Sequence, residues 1–256
     1  LKVEYPGPMV DIVGTGGDGL NTFNLSTAAA LVLAASGVKV AKHGNRAASS
    51  AAGAADVLEA CGVKLELEPK AVAHCINEAG MGFMFAPAFH PAMRHAGGPR
   101  REIGIRTIFN ILGPLTNPAG AESLVVGIAD PSLGERMAQA FAQLGSKHVM
   151  VVHGSDGADE LTITGPSQVW EMLDGQVCHY ELKLEDVGLE PCAPEALKGG
   201  IAEENAETMK RVLGGEVGPL HQAVALSAGA GMVVAGKVLS LIHISEPTRL
   251  GMISYA

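Results

Sequence analysis

An apolar run, a polar or glycine-rich loop and a small-residue helix follow one another twice before Gly62, and this repetition constrains the fold more than any other feature. Met9-Val10-Asp11-Ile12-Val13 reads as a strand and Gly14-Thr15-Gly16-Gly17-Asp18-Gly19 as the loop behind it. Asn24-Leu25-Ser26-Thr27 then opens an alanine-rich helix that runs to Ser36 and stops at Gly37. The second unit has a strand over Val38–Ala41, a polar loop over Lys42–Ser50 and a helix over Ala51–Cys61 closed by Gly62. Strands alternating with helices of this length predict a largely parallel sheet. The alternation resumes with a strand at Leu124–Ala129, a helix at Leu133–Leu144 and a strand at His148–Val152. Strands at Gln168–Glu171 and Val177–Leu182 follow, and an apolar helix spans His221–Ala235. Residues 69–97 break the rhythm: an amphipathic helix, Pro69–Ala79, leads through Phe83–Pro87 into a His- and Met-rich turn. That stretch reads as an excursion from the sheet.

Aromatics make up only 4% of the chain while glycines number 33, so the core is aliphatic and closely approached by backbone. A formal charge of −9 argues against nonspecific binding to nucleic acid or an anionic membrane. No apolar run reaches the roughly 20 residues that span a bilayer. Cys61, Cys75, Cys178 and Cys192 are scattered without a C-x-x-C pair, which fits free thiols in a reducing cytoplasm. The chain opens on Leu1 and is expected to begin inside a longer reading frame. Leu239–Ala256 loses the Ala/Gly texture and has no helical stripe. It reads as translated sequencing adapter, expected to be loosely packed, and is set outside the functional reading.

The glycine loop matches G-x-G-x-x-G, but a dinucleotide site needs the helix to start inside the loop and an acid about 20 residues on. Here the helix cap comes later, and Lys42-His43 ends the second strand. A phosphorylated ligand suits these parts better, since glycines admit backbone N–H groups to an anion and Asn24, Ser26 and Thr27 offer donors at a helix start. Lys42 and Arg46 add positive charge, and Ser49 and Ser50 are expected to start a second anion-binding helix. Two such termini side by side imply a ligand phosphorylated at two places. Asp159-Glu160, in the loop after a strand, then calls for magnesium, which binds through one or two carboxylates plus substrate oxygens. His90, Met93 and His95 read as a mobile rim, Trp170 as core, and His43 as a residue that shapes its loop.

Gly14–Asp18, Asn24–Thr27, Lys42–Ser50 and Phe109-Asn110-Ile111-Leu112-Gly113-Pro114-Leu115-Thr116-Asn117-Pro118 together resemble the anthranilate phosphoribosyltransferases, over about Val10–Val238. The resemblance implies transfer of the phosphoribosyl group of phosphoribosyl pyrophosphate to the amine of anthranilate, in tryptophan biosynthesis. It implies an α/β fold with a mostly parallel sheet flanked by helices, as in nucleoside phosphorylases, plus part of a small helical domain. Residues 1–66 and 101–238 would form the α/β domain, 67–100 a piece of the helical one, and 239–256 neither. Gly14, Gly17, Asp18, Thr22, Asn24, Leu25, Ser26, Thr27, Lys42, His43, Gly44, Asn45, Arg46, Ala47, Ala48, Ser49 and Ser50 would bind phosphoribosyl pyrophosphate, with Lys42 and Asp18 the catalytic pair. Gly14, Asn45, His90 and Arg100 would meet anthranilate, Arg100 at the carboxylate. Ser26, Asp159 and Glu160 would hold Mg²⁺, two ions with the substrate pyrophosphate. The intact protein is expected to be a cytoplasmic homodimer, with no nucleic-acid or membrane partner and about 65 further residues ahead of the first strand. A nucleoside phosphorylase of the same fold, and a non-catalytic nucleic-acid-binding homologue, are the alternatives.

Overall fold

Strands β1 (Val10–Gly14), β2 (Val40–Gly44), β3 (Met81–Phe85), β4 (Ser123–Gly127) and β5 (His148–Gly154) run parallel. β6 (Ser167–Leu173) and β7 (Gln176–Leu182) extend the sheet as antiparallel neighbours. The order is β3-β2-β1-β4-β5-β6-β7, so the chain builds outward from β1 on one side and then crosses back to start the other. The structure, a computed structural model, describes residues 1–47, 50–93, 95–96, 102 and 107–241. The expectations for Ala48, Ser49, Arg100 and the tail from residue 242 lie outside these residues.

Helix α1 (Leu25–Ala35) and the helix Pro219–Val234 pack on each other and on one face of the sheet. Both are apolar nearly all round because each has a neighbour on both sides. Close approach requires small residues, and a Cβ at Gly231 would collide with the side chain of Leu33. Val10, Ile12, Val40, Val125, Met150 and Leu226 fill this core. The helix Gly134–Gln143 covers the other face, with Met137 and Phe141 on Val126, Val149, Trp170 and Met172. Trp170 is core, as its sequence context implies.

Four expectations need correction. β2 reaches Gly44, so Lys42 and His43 are strand residues and both are buried; the strand can swallow the ammonium because it finds oxygen partners inside. Helix α2 (Ala54–Ala60) starts at Ala54, behind Gly53, and not at Ala51. The excursion over 69–97 contains α3 (Pro69–Ala79) followed by β3, which pairs with β2 as the sheet's edge. Gly82 makes this possible, since a Cβ there would lie 2.7 Å from Ile76 Cγ1 of α3. In the segment 239–256, Leu239 is exposed but Leu241 is buried in the main core. The helix Ala202–Leu213 was not foreseen, although Glu203 and Glu204 in its first turn and Lys210 and Arg211 in its last complement the helix dipole.

Candidate active site

The order of strands puts the topological switch between β1 and β4, where α/β sheets bind ligands at the carboxyl ends. Gly14 and Gly127 face each other at these two ends. Asp159 fills the space they leave: a Cβ at Gly14 would run into its carboxylate, and one at Gly127 into its backbone carbonyl. Gly16, Gly17 and Gly19 take positive φ values of 71°, 81° and 77°, which turns the loop back over the acid. The Gly16 N–H donates to Asp159 Oδ2 at 2.6 Å, and the Thr15 N–H to the Gly127 carbonyl at 2.9 Å.

Three carboxylates meet here. Burial, and then the charge of Asp18, push the Asp159 carboxyl up to about 7. Glu160 is pushed well above the usual carboxylate range by burial and by Asp159, against the pull of Lys42 and of the Ser26 N–H that donates to it. Glu160 Oε2 is buried without a hydrogen-bond partner. Lys42 Nζ donates to the Ile12 carbonyl at 2.6 Å and to Ser26 Oγ at 3.4 Å. Its ammonium is held below the usual lysine range by burial, opposed by Asp11 and Glu160. Crowded acids with an unpartnered oxygen and one buried cation nearby suit a divalent ion, and hard oxygen donors suit Mg²⁺. Among the described residues no three or more His, Cys, Asp or Glu form a complete protein cage, so substrate oxygens would finish the coordination.

The loop after β2 is organised differently from the expectation. The Asp56 carboxylate accepts from the Ala47 N–H and the Gly53 N–H, both at 2.9 Å, and so caps α2 with the chain's own anion. The first turn of α2 itself is therefore served by Asp56. Arg46 turns away, pairing with Asp56 at 2.9 Å and Glu59 at 2.8 Å and lying over the Phe85 ring. Asn45 Oδ1 accepts from the Arg46 N–H at 2.8 Å.

Beneath the loops, His43 Nδ1 and the Gly113 carbonyl are 3.2 Å apart, and its Nε2 is 3.2 Å from His90 Nε2. Burial holds both imidazoles below the usual histidine range. Asp11, missed by the sequence reading, accepts from the His43 N–H and from Asn117 Nδ2, which also donates to the Ala41 carbonyl. Burial pushes its carboxyl up to about 6, and Lys42 and these bonds pull against that. Asn117 is thus a tie between strands as well as a turn residue.

The sequence profile of the glycosyl transferase family a/b domain matches residues 6–245. The anthranilate phosphoribosyltransferase of Dehalococcoides mccartyi is 52% identical over 239 residues, which is 93% of this chain and 70% of that protein. The chain belongs to the anthranilate phosphoribosyltransferase family. The family member from Acetivibrio thermocellus is 53% identical over 94% of this chain and 69% of its own length. The crystal structure of anthranilate phosphoribosyltransferase from Thermus thermophilus superposes with a TM-score of 0.92 at 52% identity, covering 99% of this chain and 76% of that one. The Saccharomyces cerevisiae family member, solved in complex with PRPP and Mg, superposes at 0.87 with 28% identity, over 99% of this chain and 70% of that one. Of the residues that the family resemblance singled out, the fold gathers Gly14, Asp18, Ser26, Lys42, Asp159 and Glu160 at one switch point. It joins His43 to His90 and commits Arg46 to α2.

Proposed function

We propose that this chain transfers the phosphoribosyl group of phosphoribosyl pyrophosphate to the amine of anthranilate, releasing pyrophosphate. The observation that carries this reading is the crowded Asp159-Glu160 pair, with its unpartnered Oε2, under a glycine loop at the β1/β4 switch. The anomeric C–O bond to pyrophosphate breaks, the C–N bond to anthranilate forms on the opposite face, and the amine releases its proton to solvent. An aromatic amine is unprotonated near pH 7, so no strong base is required. What the protein must supply is positioning and charge.

Asp159, Glu160 and Ser26 would hold Mg²⁺, with two ions serving the substrate. When bound, magnesium neutralises the leaving pyrophosphate. Gly14, Gly17, Asp18, Thr22 and Asn24–Thr27 form the wall that faces the donor. Lys42 stands behind Ser26 and fixes its hydroxyl, which makes it a positioning charge more than a direct contact. Asn45, His90 and Gly14 line the acceptor side, and Arg100 is assigned to the carboxylate. Residues 1–66 and 101–238 carry the donor site, while 67–100 lend both the edge strand and the acceptor rim. The enzyme works as a cytoplasmic homodimer; among the described residues no helix is long and apolar enough to cross a membrane. The test is anthranilate fluorescence: it falls on adding phosphoribosyl pyrophosphate with magnesium and holds steady when the metal is chelated. A signal that stays constant in both conditions overturns the reading.

A further inference from the structure

The helix Ala202–Leu213 buries an asparagine, and that side chain reaches the donor loop. Asn205 is 3% exposed, and its Nδ2 donates to Asn24 Oδ1 at 2.9 Å across 181 residues of chain. The Gly200 N–H donates to Asn205 Oδ1 at 2.7 Å, which fixes which way the Asn205 amide faces. Asn24 Nδ2 in turn donates to the Ala52 carbonyl at 3.0 Å. All three bonds run in one direction, so each polarises the next.

An asparagine amide fits its site equally well in either flip, and only its partners select one. Facing the Ala52 carbonyl, Asn24 must present its nitrogen, and the Asn205 donor is the group that requires the oxygen on the other side. Asn24 therefore does not cap α1, where its side chain makes no bond to the first turn. The same strap continues in the backbone. The Phe23 N–H donates to the Leu197 carbonyl at 2.8 Å and the Gly199 N–H to the Asn21 carbonyl at 2.9 Å. Asn21 Oδ1 takes the Ala51 N–H at 3.1 Å, tying the glycine loop to the loop before α2.

We propose that Asn205 is a positioning residue for the phosphoribosyl pyrophosphate site, acting through the Asn24 amide to set how the two donor-binding loops meet; this rests on the functional reading above. Asn205→Asp keeps size and the acceptor for Gly200 but replaces the donor toward Asn24 with a carboxylate oxygen, which repels Asn24 Oδ1 and drives that amide out of its bound orientation. The KM for phosphoribosyl pyrophosphate should rise roughly tenfold, the value of one lost buried hydrogen bond, while the anthranilate KM at saturating donor stays within about twofold. Asn205→Ser, too short to reach Asn24, gives the same readout if Asn205→Asp does not fold. In an Asn24→Ala background Asn205→Ala should add nothing more, because residues that act through one another are not additive. Calorimetry with phosphoribosyl pyrophosphate and Mg²⁺ separates the failures. Wild-type protein that takes up no donor overturns the functional reading and this proposal with it. Wild type that binds while the Asn205 variants bind equally well, or single effects that multiply in the double variant, overturns this proposal alone.

Discussion

Asp159 and Glu160 stand at odds with folding, as residues of the proposed magnesium site would. At pH 8 Asp159 is ionised beside Asp18 and Glu160, and its folded-state proton affinity, raised to about 7, means that ionisation costs the fold stability. Asp159→Asn and Glu160→Gln should therefore raise the magnesium concentration needed for half-maximal activity. The same changes should raise the melting temperature of the metal-free protein at pH 8. An unaltered magnesium profile would place the pair outside the site. The family resemblance assigns Arg100 to the acceptor carboxylate. Arg100→Ala should raise the anthranilate KM by roughly 30- to 1000-fold, the loss of a charged hydrogen-bond pair, and leave the donor KM near its starting value. Equal effects on both substrates would remove Arg100 from the carboxylate.

The elements show where local pattern and packing part company. Lys42-His43 looks like loop because charged and titratable residues rarely sit in a central strand, yet β2 buries both, with the Ile12 carbonyl at the Lys42 ammonium and the Gly113 carbonyl and His90 at the His43 imidazole. A polar tie runs across β5, β6 and β7: Glu171 lies 2.6 Å from His148 Nε2 and accepts from the Tyr180 hydroxyl at 2.8 Å. The His148 bond, with Tyr180 adding to it, holds the Glu171 carboxyl below its ordinary 4.5. The folded state thus binds that proton more weakly than the unfolded chain. The resulting stability is complete above 4.5 and drains away as pH falls through the lowered value. Glu171→Gln should cost about 1 kcal/mol at pH 7 by thermal melting, and the gap to wild type should close in acid. A gap that persists unchanged in acid would assign the loss to packing.

Across the molecule, four hydrophobic clusters pack on the sheet among the described residues, and the last described residue belongs to the largest. Leu241 joins the cluster around Leu226 and Val234, while Leu239 two residues earlier is exposed. Leu241→Ala should destabilise by about 2 kcal/mol in denaturant melts and Leu239→Ala should be neutral. Equal behaviour of the two would detach Leu241 from the core. The chain's own pattern of apolar period and glycine stops determined the parallel α/β class, most strands and the principal helices. These are local signals, set by backbone sterics within a few residues. The motifs likewise marked Gly14–Asp18, Lys42 and Asp159-Glu160 as chemistry. Only the tertiary structure decided that Gly14 and Gly127 open a slot for Asp159, that Arg46 is spent on α2, and that Asn205 orients Asn24. The slot for Asp159 depends on β4 crossing to the far side of β1, the Asn24 contact on a helix returning to a distant loop, and the Arg46 pairs on how its loop folds back onto α2; none of these leaves a trace in the local spacing of residues.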